Sequence, residues 1–410
     1  MKILFVTDNF YPETNAPASR TLEHARAWAR DGHEVTVLTT APNFPEGKLF
    51  PGYRNRWLHR ESVDGIQVVR VKSYITANEG VLRRTLDYLS FMIAAILVSP
   101  LLPRSDVVVG TSPQFFAAWG ASVIARLQRR PFVFELRDLW PASIVQVGAM
   151  KPNLVVRMLE RIELGLYRRA SLIVSLTQAF KQDLVQRGIA ANKIEVVQNG
   201  VDLTRFSAAP RDEELARELE LQNCFVVGYL GTHGMAHGLH AVVDAAALLA
   251  HRADIAFIMV GAGAEKKSLQ ARAAKLGLSN LTFLPRQPKE RMPSLLGVCN
   301  LCLVPLRDLP LFRTVLPSKI FEAMGMGIPI LAAIPRGEAS ELIERLDVGE
   351  VVDPEDPHAL ALAIDRLHAS PQRLDRYRRN ANCAAPAFDR EALARRMIEA
   401  IEARLGGRQP

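Results

Sequence analysis

Short apolar runs recur along the chain, separated by longer stretches in which apolar residues return every three or four positions. In the first half the runs are KILFVTD (2–8), EVTVLT (34–39), IQVVRV (66–71), DVVVG (106–110), FVFEL (132–136), LIVSL (172–176) and KIEVV (193–197). Runs this short and this rich in Val, Ile and Leu predict strands buried on both faces. The amphipathic stretches between them, Ala18–Arg30, Phe115–Arg129, Leu154–Arg168 and Gln178–Arg187, predict helices. After VQNGVDLTRF (197–206) the pattern restarts. FVVGYLG (225–231), IAFIMVG (255–261), NLTFLP (280–285), NLCLVPL (300–306), PILAA (329–333) and EVVD (350–353) read as a second set of strands. Helices are expected between them at Leu239–His251, Glu265–Leu276, Lys289–Gly297, Ser318–Met324 and Glu338–Leu346.

Two series of alternating strand and helix predict two doubly wound, Rossmann-like α/β domains facing a cleft. The length agrees, since 410 residues exceed one ordinary core and suit two domains of about 200 residues each. Asn199-Gly200 is a turn signal at the restart. The expected division is 1–200, 201–388, and a last helical segment, 389–410, packing back on the first domain.

Composition then narrows the class. Hydrophobic residues make up 49% and charged residues 23%, which gives no case for disorder. The net charge of +8 is unevenly placed: residues 1–205 hold 26 Lys and Arg against 18 Asp and Glu, residues 206–410 hold 25 of each. A basic first half suits an anionic partner or is simply a solvated face. Nucleic acid is disfavoured, because the cations are scattered and no finger spacing or ribonucleoprotein motif appears. The segment Tyr88–Leu102 carries no charge. As fifteen helical residues it reaches about 22 Å, short of a hydrocarbon core of about 30 Å, and Pro100 interrupts it. It reads as a buried helix or as one lying in a membrane surface beside Arg83 and Arg84. Cys299 and Cys302 have CxxC spacing within an apolar run, without a second ligand pair. They are expected to be buried strand thiols, with no metal or cofactor implied. With no secretory cleavage pattern at the start, a cytoplasmic setting is expected.

Three motifs carry chemistry. In IMVGAGAEKKSL, Gly261 and Gly263 end a buried strand before a helix, where glycine admits a ligand to the backbone or simply makes a tight turn. In GYLGTHGMAHGLH, glycines surround His233 and His237 after the first strand of the second series. This pattern suits a phosphate cradle built from amides and imidazoles, including the amide of Gly234. In LPSKIFEAMGMGIPILAA, Ser318 is expected to cap a helix whose first turn holds Lys319. A cation there opposes the helix dipole unless an anion is bound. Glu322, one turn on, is able to accept both hydroxyls of a ribose, or else is a solvated glutamate.

Taken together, KILFVTDNFYPE, GHEVTVLT, ELRDLWP, VVQNGVDLTRF, VGAG and PSKIFEAMGMGIPIL resemble glycosyltransferase family 4, retaining enzymes of the GT-B fold, over essentially the whole chain. RDLWP, GTHGMAHG and LPSKIFEAMGMG look most similar to bacterial O-antigen and capsule L-fucosamine (N-acetylfucosamine) transferases. The resemblance implies transfer of a sugar from a nucleotide diphosphate, with UDP the family-level expectation. It also implies retention at the anomeric carbon and no essential metal. The N-terminal placement of the excess charge and of Tyr88–Leu102 points to a lipid-diphosphate-linked saccharide acceptor at the cytoplasmic membrane face. Glu322 is then the donor-ribose residue, and His233, Gly234, His237, Gly261, Gly263, Ser318 and Lys319 join it in holding the donor. Arg137 stands where many members carry a His and is the candidate to orient a sugar hydroxyl or phosphate oxygen, with Asp138 next to it to orient the acceptor or take its proton, or the two form a buried ion pair. Asn15 and Ala16 replace a glycine pair near the diphosphate. The chain departs from the family at Thr314, where a first Glu is common, and at Thr232 and His237, where Arg and Lys are common. Those departures keep two alternatives open: a non-catalytic nucleotide-sugar-binding subunit and a sugar-nucleotide 2-epimerase.

Overall fold

The computed structural model describes residues 1–77, 81–140 and 153–406 and divides the chain into two compact units. Unit 1 is Met1–Gln198 together with Glu391–Pro410, and unit 2 is Asn199–Arg390. The expected Asn199-Gly200 turn lies where one unit gives way to the other.

In unit 1 the strands are β1 (Lys2–Val6), β2 (Glu34–Thr40), β3 (Leu58–Val63), β4 (Ile66–Val71), β5 (Val107–Thr111), β6 (Phe132–Leu136), β7 (Leu172–Ser175) and β8 (Ile194–Val196). They form one sheet in the order β3-β4-β2-β1-β5-β6-β7-β8. Every pairing is parallel except β3 with β4. The antiparallel edge strand is absent from the sequence expectation, and its composition explains why. LHRESV carries charged residues and is partly exposed throughout, as an edge strand can be, so it makes no apolar run.

Helices α1 (Ala16–Arg30), α2 (Val81–Val98), α3 (Phe115–Gln128), α4 (Leu154–Arg169) and α5 (Gln178–Gln186) connect these strands. One apolar cluster joins α2, α3, Leu166 and Tyr167 to one face of the sheet. Another joins Trp28 and the α1 interior to the opposite face. The last helix, Arg390–Gly406, buries Leu393, Ala394, Met397, Ile398 and Ile401 in this second cluster. Trp28 Nε1 donates to the Ala394 carbonyl at 2.8 Å, so the C-terminal helix is held in unit 1.

Helix α2 begins before the uncharged stretch and runs into a 3-10 turn, Ser99–Leu101. The fifteen-residue length expected from sequence is therefore too short: Arg83–Leu101 is long and apolar enough to cross a membrane by length and composition. Phe91, Ala94, Ala95 and Val98 nevertheless pack into the unit 1 core, whereas Leu86, Ile93, Leu97 and Leu101 are exposed.

Unit 2 carries β9 (Phe225–Leu230), β10 (Ile255–Val260), β11 (Leu281–Leu284), β12 (Leu301–Pro305), β13 (Ile330–Ala333) and β14 (Gly349–Val352). All are parallel, in the order β11-β10-β9-β12-β13-β14. This order reverses at β9, which is the doubly wound arrangement that opens a crevice beyond the carboxyl ends of β9 and β12. The predicted strand runs coincide with these six because both faces of the sheet are covered. Cys299 and Cys302 are buried, free thiols on the β12 side of that sheet.

Candidate functional site

The loops that follow β9 and β10 in unit 2 are bonded to each other. Gly231 N donates to Val260 O at 2.8 Å, His233 N to Ala262 O at 2.9 Å, and Glu265 N to His233 O at 3.0 Å. Such contact requires glycine on the β10 side. A Cβ on Gly261 would stand 1.9 Å from the Gly231 carbonyl oxygen, and one on Gly263 would stand 2.3 Å from the His233 carbonyl oxygen. The neighbouring loop fills the space a side chain would take at both glycines, while Gly263 itself stays exposed. Lys266 completes the joint, its ammonium donating to the carbonyls of Gly261 and Leu284.

This closed double loop encloses His233. Its side chain is fully buried, lies near the Tyr229 and Phe283 rings, and neither ring nitrogen has a hydrogen-bond partner. Burial, aided by the Lys266 and Lys319 charges, lowers its pKa to about 4. His233 is therefore neutral at pH 7 and carries one N–H and one lone pair, both unused. An orphaned buried polar group is costly, and a bound ligand is one way to satisfy it. His237 is half-buried, with Nδ1 3.4 Å from the Pro305 carbonyl oxygen, and burial and Lys319 lower its pKa to about 4 as well. Both imidazoles are neutral hydrogen-bonding groups here, not cations.

Helix α10, numbered after α6 (Glu213–Glu218), α7 (His240–Leu248), α8 (Lys266–Lys275) and α9 (Met292–Gly297), spans Ser318–Gly325. Its N-cap is Pro317, in extended conformation, and no side chain caps it. The expectation that Ser318 is the cap is corrected: Ser318 is the first helical residue, so its hydroxyl does not fold back on the first turn. An uncapped N-terminus keeps N–H groups available to an anion. Lys319 lies in that first turn, as its position in the motif requires. Its ammonium stands 2.7 Å from where a Gly231 Cβ would be and 5.2 Å from the Tyr229 ring centre. Burial lowers its pKa, and Glu322 acts in the opposite sense. Glu322 is half-buried, not a solvated glutamate. Together with Phe206, Leu230, Met292, Leu296, Cys302 and Lys319 it lines a small cavity. Unit 2 thus brings His233, His237, Lys319 and Glu322 to the carboxyl end of β9 and β12.

In unit 1, Asn15 is the N-cap of α1, its side chain accepting from Ala18 N at 3.0 Å, and Ala16 is the first helical residue. The loop read as replacing a glycine pair is a capped helix start, with Ala18 N–H satisfied and Pro17 having none. Arg137 and Asp138 follow β6 and are half-buried; both backbone N–H groups reach Ser112 Oγ, at 2.7 and 3.3 Å. The Arg137 guanidinium lies 3.5 Å from the Pro17 carbonyl. Arg20 and Glu135 form a buried ion pair in this region, at 2.8 Å, which sequence reasoning did not find. Burial opposes ionisation of Glu135, but Arg20, Arg137 and His24 outweigh it and hold its pKa at about 2. Arg20 also donates to the carbonyls of Val197 and Gln198, where unit 1 hands the chain to unit 2. The segment 135–141 read from sequence ends at Pro141, which lies outside the described residues.

Residues 15–200 match the glycosyl transferase 4-like domain family, and residues 210–383 match the glycosyl transferases group 1 family. The chain is a glycosyltransferase of the GT-B fold. Among relatives, the transferase is 26% identical to WcaI of Escherichia coli (strain K12), assigned to colanic acid biosynthesis, over 98% of this chain and 100% of that protein. It is 25% identical to WbjE of Pseudomonas aeruginosa, assigned as a glycosyltransferase, over 64% of this chain and 66% of that one. Among solved structures, HepE of Anabaena in complex with UDP and glucose aligns with a TM-score of 0.71 at 23% identity, covering 98% of this chain and 100% of that one. The sucrose-phosphate synthase of Thermosynechococcus elongatus aligns with a TM-score of 0.75 at 16% identity, covering 99% and 100%. These structural likenesses concern the fold, which the transferase shares with both.

Proposed function

We propose that the transferase moves a sugar, with retention at the anomeric carbon, from a UDP-linked donor held by unit 2 to a lipid-diphosphate-linked saccharide taken by unit 1. The observation that carries this reading is the α10 N-terminus, where uncapped amides, the Lys319 ammonium and Glu322 adjoin the loop of the buried, unsatisfied His233. A departing nucleoside diphosphate needs its charge met by preorganised donors. Lys319 and the amides of Gly234 and Ser318 supply them, with His233 as a neutral N–H donor and His237 beside it, its own N–H facing the Pro305 carbonyl, and Glu322 accepts the ribose hydroxyls. HepE supports the choice of nucleotide, having been solved with UDP and glucose. WcaI supports a role in surface polysaccharide synthesis. Within that role, N-acetyl-L-fucosamine is the sugar we favour.

We also place unit 1 at the cytoplasmic membrane face. The exposed Leu86, Ile93, Leu97 and Leu101 of α2 and its 3-10 extension follow Arg83 and Arg84, and the chain's excess positive charge lies in residues 1–205. An apolar stripe beside arginines suits an anionic lipid surface.

The test is donor binding and turnover in Glu322→Ala. UDP and UDP-sugars are expected to raise the melting temperature of the wild-type protein and to lose most of that effect in the variant. GDP and GDP-sugars serve as the competing arm. Full activity of Glu322→Ala, or stabilisation by GDP in place of UDP, refutes the assignment.

A further inference from the structure

Unit 1 has its own switch point. Its strand order reverses at β1, which pairs with β2 on one side and β5 on the other, so ligands are expected beyond the carboxyl ends of β1 and β5. Asp8 stands two residues past the end of β1, and Gln114 three past the end of β5. Gln114 Nε2 donates to Asp8 Oδ2 at 2.9 Å. The hydroxyls of Thr39 and Thr40, at the end of β2, both donate to the Asp8 carbonyl at 3.0 Å and fix its backbone. Asp87 comes to the same place from α2, and Asp8 and Asp87 are 7% and 9% exposed. The two carboxyls act on each other electrostatically.

A separate observation marks this place as unfinished. Glu13 is only 4% exposed, and its Oε1 accepts from Asn43 N and Phe44 N at 2.7 and 2.9 Å. Its Oε2 is buried without a hydrogen-bond partner, and its charge acts on both Asp8 and Asp87. The Oε1 of Gln114, on the amide already pinned to Asp8, is likewise buried and unpartnered. The cations nearby, Arg70 and Arg84, act on these carboxyls through their charge and give their hydrogen bonds to other groups. Arg70 serves Glu61 and the carbonyls of Thr40 and Tyr11, and Arg84 donates to the Tyr88 hydroxyl. The site therefore presents unsatisfied acceptors at the place where a parallel sheet takes its ligand.

We propose that Asp8, Asp87 and Gln114 bind hydroxyl groups of the acceptor saccharide. The inference rests on the reading above that unit 1 takes the acceptor, and it adds the groups that do so. The chemistry selects the ligand class. The unpartnered Gln114 Oε1 calls for a hydrogen-bond donor, which a phosphate dianion lacks. A sugar hydroxyl both donates and accepts, which matches a site where carboxylates stand beside carboxylic acids. Burial, reinforced by the charges of Asp87 and Glu13, holds Asp8 well above the usual carboxylate range. Burial and Glu13, opposed by Arg84, place Asp87 at about 7. Groups kept in this state lower the stability of the fold as they ionise, which is a common property of functional carboxyls.

The experiment measures binding of methyl glycosides of glucose, galactose and N-acetylglucosamine to the full chain by saturation-transfer NMR, with UDP binding measured in parallel. Asp87→Ala and Gln114→Ala are each expected to weaken glycoside binding about tenfold, the scale of one hydrogen bond to a charged group, and to leave UDP binding as it was. In Asp87→Asn, the change of glycoside affinity across pH 6–8 is expected to disappear. Asp8, Glu13, Arg70, Arg84 and Tyr88, which face this group, stay in place in that variant. Folding is checked by melting. Because the folded value of Asp87 lies above its ordinary 3.8, the native state loses stability as pH rises from about 4 to about 7, and the amide removes that loss. Asp87→Asn should therefore melt no lower than wild type at pH 8. Glycoside affinity unchanged in Asp87→Ala and Gln114→Ala overturns the proposal. So does a wild-type chain that binds UDP but no glycoside. Calcium or magnesium chloride binding that is lost in Asp87→Ala also overturns it, by making the site a cation site. Failure of UDP to bind wild type would instead strike the donor assignment in unit 2.

Discussion

Replacing Gly261 by alanine separates the two explanations for the glycines after β10. The added methyl carbon would stand 1.9 Å from the Gly231 carbonyl oxygen, about 1.4 Å inside the closest ordinary approach of carbon and oxygen, roughly 3.3 Å. The obstacle is backbone, and the Gly231 loop is tied down by its bonds to Val260 and Ala262, so rotation of a side chain gives no relief. Moving the loop aside loses those two hydrogen bonds at about 1 kcal/mol each and adds overpacking strain of about 1–3 kcal/mol. The expected cost is about 3–5 kcal/mol. For a unit the size of Asn199–Arg390 that lowers the melting temperature by roughly 6–20 °C, at about 2–4 °C per kcal/mol. The assay is thermal unfolding of Gly261→Ala without ligand, followed by UDP titration of whatever remains folded. An unchanged melting temperature with abolished UDP binding would refute the reasoning. It would show that the glycine makes room for the nucleotide and not for the neighbouring loop.

Two further outcomes follow from the same geometry. Lys319→Met is expected to weaken UDP binding by about 10–100-fold, since a hydrogen bond to a charged group contributes about 1.5–3 kcal/mol. The ligand-free protein should keep its melting temperature, because the ammonium that burial disfavours is gone; unchanged UDP affinity by calorimetry would exclude Lys319 from the donor site. In unit 1, Ile93→Ser with Leu97→Ser should reduce binding to phosphatidylglycerol vesicles at least about tenfold, given about 1.5–3 kcal/mol per buried aliphatic side chain, and leave UDP binding intact. Wild-type binding should also weaken with salt. Vesicle sedimentation showing no wild-type binding at low salt would remove the membrane surface from the account.

Residues whose environment repeats locally are legible in the amino-acid sequence. The inner strands of unit 2, β9, β10, β12 and β13, are continuous apolar runs because a doubly wound sheet buries both faces, so a one-dimensional pattern reports them directly. β3 escapes such a pattern because an edge strand keeps polar residues on a solvated side. The start of α2 is hidden for a related reason: Arg83, Arg84 and Asp87 break the apolar stretch without ending the helix. Within the site, Lys319 in the first turn of α10 is legible as a charge opposing the helix dipole, and it remains so in three dimensions. The burial of His233 is not legible. Nothing in GTHGMAHG says that the loop after β10 will close over its imidazole.

The sequence by itself determined where each α/β series begins, which apolar runs form buried strands, and which short motifs lie at the strand ends. Those properties follow from periodicity and local conformational preference, which act between residues near in the chain. Only the tertiary structure decided that Gly261 and Gly263 accommodate a second loop, that Arg20 pairs with Glu135 115 residues away, and that Asp8, Glu13, Asp87 and Gln114 meet at one switch point. Those outcomes depend on which strand lies beside which. That order is set by packing of the whole sheet, and no window of neighbouring residues contains it.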